Sequence, residues 1–168
     1  MNDSQTEQVS VQLRAPVSAD GAAVHRLVAA CPPLDGNSMY CNLLQCSHMA
    51  ETSVAALSGD QLVGFISGYR LPERPDTLFI WQVAVGEQAR GQGLASRMLH
   101  DILQRPQCQG VSYLETTITE ANGASWALFE RLARSLGAEL NRSVLFDRQT
   151  HFDGEHATEM LVRIGPFQ

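Results

Sequence analysis

The chain has 168 residues, 44% of them hydrophobic and 18% charged, the proportions of a soluble globular protein with a core of its own. A formal net charge of −6 argues against a nucleic-acid partner, which needs basic surface to displace counterions, and is permissive for a cationic small substrate. No apolar run approaches the roughly 20 residues of a membrane-spanning helix, so no membrane partner is expected.

Residues 1–10 are polar and acidic and carry no charged-then-apolar signal pattern. They are expected to be a flexible tail ahead of one domain over residues 11–168. Alternation over residues 9–15 predicts a first strand. Residues 19–30 predict a helix with apolar Ala22, Ala23, Leu27 and Val28, capped by Ser18 and ended by Pro32-Pro33. Asn37 or Ser38 is able to cap a second helix, which runs to about Met49 and carries Tyr40, Leu43 and Leu44. Residues 54–57 and 62–69 predict a hairpin across Ser58-Gly59-Asp60, residues 72–76 the next turn, and residues 77–85 the fourth strand.

An amphipathic helix over Leu94–Leu103 stops before Pro106, and residues 111–118 predict a fifth strand. Asn122 caps a further helix that ends at Gly137, with Phe129, Leu132, Ala133 and Leu136 on its core face. Residues 144–146 and 158–164 close the sheet. The predicted order is β-α-α-β-β-β-α-β-α-β-β, an α/β chain with a mixed sheet and about four helices. Cys31, Cys41, Cys46 and Cys108 occur without a secretion signal, so they are expected to be reduced thiols in a cytoplasmic protein. Cys41, Cys46 and His48 match no established zinc spacing, and no metal is expected.

Gln88-Ala89-Arg90-Gly91-Gln92-Gly93-Leu94-Ala95 carries the most chemistry. It joins the apolar fourth strand to the Leu94 helix. The first amides of a helix have no carbonyl partners, and the helix dipole adds positive charge there. Gly91 and Gly93 let a pyrophosphate approach the backbone, and Arg90 adds a fixed cation. The dinucleotide fingerprint fails, because Ser96 stands at its third glycine. The P-loop pattern fails for want of Gly-Lys-Ser/Thr.

This segment resembles the acyl-CoA loop of the GCN5-related N-acetyltransferase superfamily, whose pattern is Gln or Arg, two residues, Gly, one residue, Gly or Ala. The helix at Asn122-Gly123-Ala124-Ser125 resembles the one that flanks the pantetheine arm there. The longer text is more specific: Leu34-Asp35-Gly36-Asn37-Ser38-Met39-Tyr40, then Trp81-Gln82-Val83-Ala84-Val85, then Glu115-Thr116-Thr117-Ile118-Thr119. Over about residues 12 to 165 it closely resembles the L-2,4-diaminobutyrate acetyltransferases of ectoine biosynthesis.

The resemblance implies a sheet whose fourth and fifth strands splay apart. It implies transfer of acetyl from acetyl-CoA to the 4-amino group of L-2,4-diaminobutyrate, without metal, by a homodimer. Coenzyme A would be held by Gln88, Arg90, Gly91, Gln92, Gly93, Leu94, Ala95 and Ser96 at its diphosphate. Val83 and Val85 would hold its pantetheine amides, and Asn122, Ser125 and Phe129 would flank the arm.

The attacking amine must lose a proton, and the oxyanion needs donors. A backbone N–H near Val83 is the expected oxyanion donor. Glu115, buried in an apolar strand, is a candidate base or ammonium anchor; its alternative is a structural salt bridge, for instance to Arg70. Glu159 is the second carboxylate candidate and His156 a weaker base. Asp35, Tyr40, Trp81 and Thr117 complete the expected substrate side, with Trp81 offering cation–π attraction and sharing a face with Val83. Asp35 is equally an Asx-turn residue, and Tyr40 and Trp81 equally packing residues. Phe129 stands where many relatives carry a tyrosine acid, which leaves the acid role open. Acetylation of another small diamine or amino acid, or a non-catalytic acyl-CoA sensor, are the competing readings.

Overall fold

The computed structural model describes residues 10–34 and 36–168. The tail expectation falls almost wholly on residues 1–9, which lie outside the described residues, as does Asp35. Seven strands form one sheet: β1 (Val11–Arg14), β2 (Val54–Ser58), β3 (Gln61–Leu71), β4 (Arg74–Val85), β5 (Tyr113–Thr119), β6 (Leu140–Phe146) and β7 (Glu159–Ile164). Their order is β1-β2-β3-β4-β5-β7-β6, and only the β4–β5 pair is parallel. Four helices cover it: α1 (Gly21–Ala29), α2 (Met39–Ser47), α3 (Leu94–Leu103) and α4 (Gly123–Leu136). The element order is the predicted one.

The two faces carry separate cores. On one, Leu94, Met98, Leu99 and Ile102 of α3 and Leu128, Phe129, Leu132 and Ala133 of α4 pack with Ile66, Leu78, Ile80, Leu114 and Ile118. These helix residues recur at the spacings that put side chains on one face. On the other, Val24 and Val28 of α1 and Cys46 of α2 pack with Phe65 and Ala84. Burial pushes the Cys46 thiol up to about 11, with the charge of Asp20 adding to the shift. No helix among the described residues is long and apolar enough to cross a membrane.

Several boundaries differ from expectation for local reasons. The first helix opens with a 3-10 turn over Ser18–Asp20, and Ser18 makes no cap; Asp20 accepts from the Val17 N–H at 2.8 Å instead. Ser38 is the cap of α2, its Oγ accepting from the Cys41 N–H at 3.1 Å. In α2 the buried residues are Asn42, Gln45 and Cys46, whereas Tyr40 and Leu43 face outward. Within the polar pair Asn42 Nδ2 donates to Gln45 Oε1 at 3.0 Å. The turn before β4 is shorter than predicted, because Leu71 already pairs with Arg74. Pro75 is tolerated within β4 because pairing with β5 begins only at Thr77, so no N–H is asked of it there. β6 starts four residues earlier than the sequence suggested, at Leu140.

Two features of β4 shape the site. Its pairing with β5 runs from Thr77 opposite Tyr113 to Ile80 opposite Thr116 and stops there. Thr116 Oγ1 donates to the Ile80 carbonyl at 2.9 Å, tying the strands together where they part. Against β3, Ser67 pairs with Gln82 and Gly68 with Ile80, so Trp81 is an extra residue, a β-bulge. Gly68 is required beside it: a Cβ there would stand 2.9 Å from the Phe79 carbonyl oxygen and 3.1 Å from that of Thr52.

Candidate acyl-transfer site

Where β4 and β5 part, a cavity of about 300 Å³ opens. Trp81, Gln82 and Val83 of β4 form one wall, and Thr116, Thr117 and Thr119 of β5 the other. Asn122, Ser125 and Phe129 come from the start of α4. His156 and Glu159 come from the approach to β7 and its first residue, and Pro33, Leu34 and Asn37 from the α1–α2 link. The splay thus brings together Trp81, Val83, Thr117, Glu159, Asn122, Ser125 and Phe129, all expected from sequence.

Trp81 and Val83 line the same cavity, as their spacing of two along β4 leads one to expect, although Trp81 is the bulged residue. At 42% exposure Trp81 keeps its indole surface available.

His156 and Glu159 form the titratable pair of the cavity. His156 Nε2 lies 4.0 Å from Glu159 Oε1. Nδ1 stands 2.7 Å from the Ala157 carbonyl oxygen, which only accepts, so Nδ1 carries the hydrogen and Nε2 is the atom able to gain a proton beside the carboxylate. The ring also stacks near Phe152, centroids 4.5 Å apart.

Glu115 is not part of this wall. It is 2% exposed and lies in the paired part of β5, opposite Phe79 and one residue before the strands separate. Arg74 Nη2 donates to its Oε1 at 3.0 Å, and Arg163, its cross-strand partner on β7, donates to Oε2. Arg163 in turn lies 3.8 Å over the Tyr113 ring. Burial pushes the Glu115 carboxyl up, but the hydrogen bonds and charges of Arg74 and Arg163 outweigh it and hold the carboxyl below its usual value. A carboxylate so held is a poor proton acceptor, so the salt-bridge alternative describes it, with Arg74 and Arg163 rather than Arg70 as partners. Arg70 donates to the Gln109 carbonyl. Tyr40, 70% exposed, is likewise outside the cavity wall.

The glycine loop leads away from Val85 through a 3-10 turn over Glu87–Ala89. Gly91 and Gly93 hold φ of +74° and +71°, which L side chains rarely adopt, and a Cβ at either would meet no protein atom within 4 Å. Gly93 precedes α3, and no side chain caps that helix. The amides of Leu94, Ala95 and Ser96 thus receive no side-chain cap, while the Leu94 side chain is buried in the core. Arg90 Nε donates to the Val85 carbonyl at 3.0 Å and Gln92 Nε2 to that of Gln88 at 3.3 Å, contacts that brace the loop. Asn122 Oδ1 accepts from the Ser125 N–H at 3.3 Å, and Trp126 Nε1 donates to the Thr119 carbonyl at 3.1 Å. Among the described residues no group of His, Cys, Asp and Glu is placed to hold a metal ion.

Gln82, Thr116, Thr119 and Asn37 line the cavity without having been singled out. Gln82 had a signal: a carboxamide inside an otherwise apolar strand. The threonines had none, because β-branched residues fill strands everywhere.

Comparison with known proteins agrees with this geometry. Residues 22–133 match the acetyltransferase (GNAT) family. The chain is 62% identical over 158 residues to an L-2,4-diaminobutyric acid acetyltransferase of Methylotuvimicrobium alcaliphilum, covering 94% of this chain and 92% of the relative. It is 48% identical to the enzyme of that description from Halomonas elongata, covering 93% and 81%. Among solved structures it superposes with a TM-score of 0.91 and 37% identity on a diaminobutyrate acetyltransferase from Paenibacillus lautus in complex with its substrate L-2,4-diaminobutyric acid and coenzyme A, covering 95% and 97%. The ribosomal-protein-S18-alanine N-acetyltransferase of Escherichia coli shares the fold at a TM-score of 0.73 and 14% identity.

Proposed function

The chain belongs to the acetyltransferase (GNAT) family, and we propose that it transfers acetyl from acetyl-CoA to the 4-amino group of L-2,4-diaminobutyrate. The products are N4-acetyl-L-2,4-diaminobutyrate, a precursor of the osmolyte ectoine, and coenzyme A. The observation that carries this reading is the joining of the uncapped α3 amides behind Gly91 and Gly93 to a cavity at the β4–β5 splay, on a chain so similar to enzymes of that description.

The uncapped amides take the diphosphate, and the splayed edge of β4 around Val83 and Val85 takes the pantetheine amides. The thioester carbonyl then lies against β4, where the N–H near Val83 receives the developing oxyanion. The 4-amine of the substrate, with an ordinary pKa of about 10, is protonated at neutral pH and must lose a proton before attack. The His156–Glu159 pair is the acceptor, with the proton taken at Nε2 or the neighbouring carboxylate. Trp81 and Thr117 complete the acceptor wall, the indole face attracting the α-ammonium. Phe129 has no proton to give, so the thiolate leaves without an acid from that position. Acetyl-CoA is a cytoplasmic metabolite and the four cysteines are free thiols, which fits a cytoplasmic enzyme. Homodimerisation belongs to the same reading and is tested by sedimentation.

Coenzyme A release, followed with diaminobutyrate and with its homologues one carbon longer and one carbon shorter, tests the proposal. Diaminobutyrate is expected to give the highest kcat/KM, with acetyl on the 4-nitrogen by NMR. Acetyl-CoA binding without turnover of any of the three would reduce the protein to a sensor.

A further inference from the structure

Three buried side-chain atoms among the described residues have no hydrogen-bond partner: Gln45 Nε2, Arg70 Nε and Gln82 Oε1. Of these residues only Gln82 stands in the cavity wall. It is 5% exposed and sits beside the Trp81 bulge. Its main chain is held, since the Gln82 N–H donates to Ser67 Oγ at 3.2 Å, and Ser67 is itself buried.

An unmet buried acceptor destabilises the folded chain, because water is lost and nothing replaces it. A methionine would fill the same volume without that cost. A polar group kept at such a cost in the wall of a reaction cavity points to a ligand that completes it. The missing partner is an N–H donor. Under the function proposed above, on which this inference rests, the substrate brings two amino groups. The 4-amine must be neutral to react, whereas the α-ammonium remains a cation with three N–H donors. A charge-assisted hydrogen bond is the stronger of the two.

We propose that Gln82 Oε1 accepts a hydrogen bond from the α-ammonium of the substrate, so that the carboxamide selects 2,4-diamino acids over monoamines of the same length. It acts in binding and orientation and takes no proton. The amide then has a partner only in the complex.

The test pairs Gln82→Met with a change in the substrate, 4-aminobutyrate, which keeps the reacting amine and lacks the α-ammonium. Wild type must first turn over diaminobutyrate; if it does not, the proposed function fails and takes this inference with it. Given turnover, Gln82→Met is expected to lower kcat/KM for diaminobutyrate roughly 10- to 100-fold. The loss with 4-aminobutyrate is expected to stay within about threefold, and KM for acetyl-CoA within about twofold. The ligand-free variant should melt at or above the wild-type temperature, and diaminobutyrate should raise its Tm less than it raises that of wild type. Gln82→Glu keeps the acceptor and is expected to hold more of the diaminobutyrate activity than Gln82→Met. Equal losses on both substrates, no loss on either, or a ligand-free Gln82→Met protein that is less stable than wild type or fails to fold would overturn the inference and leave the proposed function standing.

Discussion

Two carboxylates near the point where β4 and β5 part stand in opposite circumstances. Just before the strands separate, Glu115 is still buried in a paired strand, and two guanidiniums from Arg74 and Arg163 neutralise it. At the open end Glu159 and His156 face a cavity that exists because pairing stops at Ile80 and Thr116. Both carboxylates lie in or at the start of strands of one sheet. A charge in a strand is thus accessible to a substrate only where the strands leave room for one. Elsewhere it becomes a clamp.

Gly93→Val is expected to break the coenzyme side of the open end most severely. The φ of +71° strains a β-branched residue, and an added Cβ meets no protein atom within 4 Å, so the substitution acts on the loop surface to which the proposal assigns the diphosphate. Acetyl-CoA affinity by calorimetry should fall roughly 100-fold or more, since the loop geometry and the approach of the ligand are both lost. Retained affinity would mean that the loop does not hold the coenzyme.

Glu159→Gln and Glu115→Gln sharpen the comparison directly. The first should lower kcat about 100-fold with little change in Tm, as loss of a proton acceptor does. The second should leave kcat of the folded enzyme within about threefold while costing about 2 kcal/mol of stability. That figure is below the usual loss for a broken buried pair because Arg74 and Arg163 are partly exposed and regain water. For a chain of this size it corresponds to a Tm lower by roughly 4–8 °C. Exchange of the two phenotypes would invert the assignment of the two carboxylates.

The smallest expected effect is in the acid limb of stability. The folded Glu115 carboxyl lies below its ordinary value of 4.5. Its contribution is therefore fully present above that value and is lost as the pH falls through the lowered one. The gap in urea midpoint between wild type and Glu115→Gln should narrow as the pH falls below 4.5 and the carboxyl begins to protonate. A gap that persists at the acid end would mean that Glu115 acts through packing rather than charge.

Periodicity, caps and breakers announced the order of elements, because they are local: Leu94–Leu103, the Asn122 cap and the Gly137 stop were legible residue by residue. The glycine loop was legible for the same reason, its chemistry residing in consecutive backbone amides. Three things needed the folded chain. The Trp81 bulge depends on what β3 places opposite β4. The partners of Glu115 come from residues 41 and 48 positions away, so no local rule joins them. The outward Tyr40 and inward Asn42 and Gln45 of α2 follow from how that helix docks, not from its own hydrophobic pattern. Sequence by itself determined which local structures form and which backbone can meet an anion, since those depend on torsion preference and neighbouring residues. Tertiary structure decided which carboxylate faces a cavity and which is neutralised, since burial and charge pairing are properties of distant segments brought together.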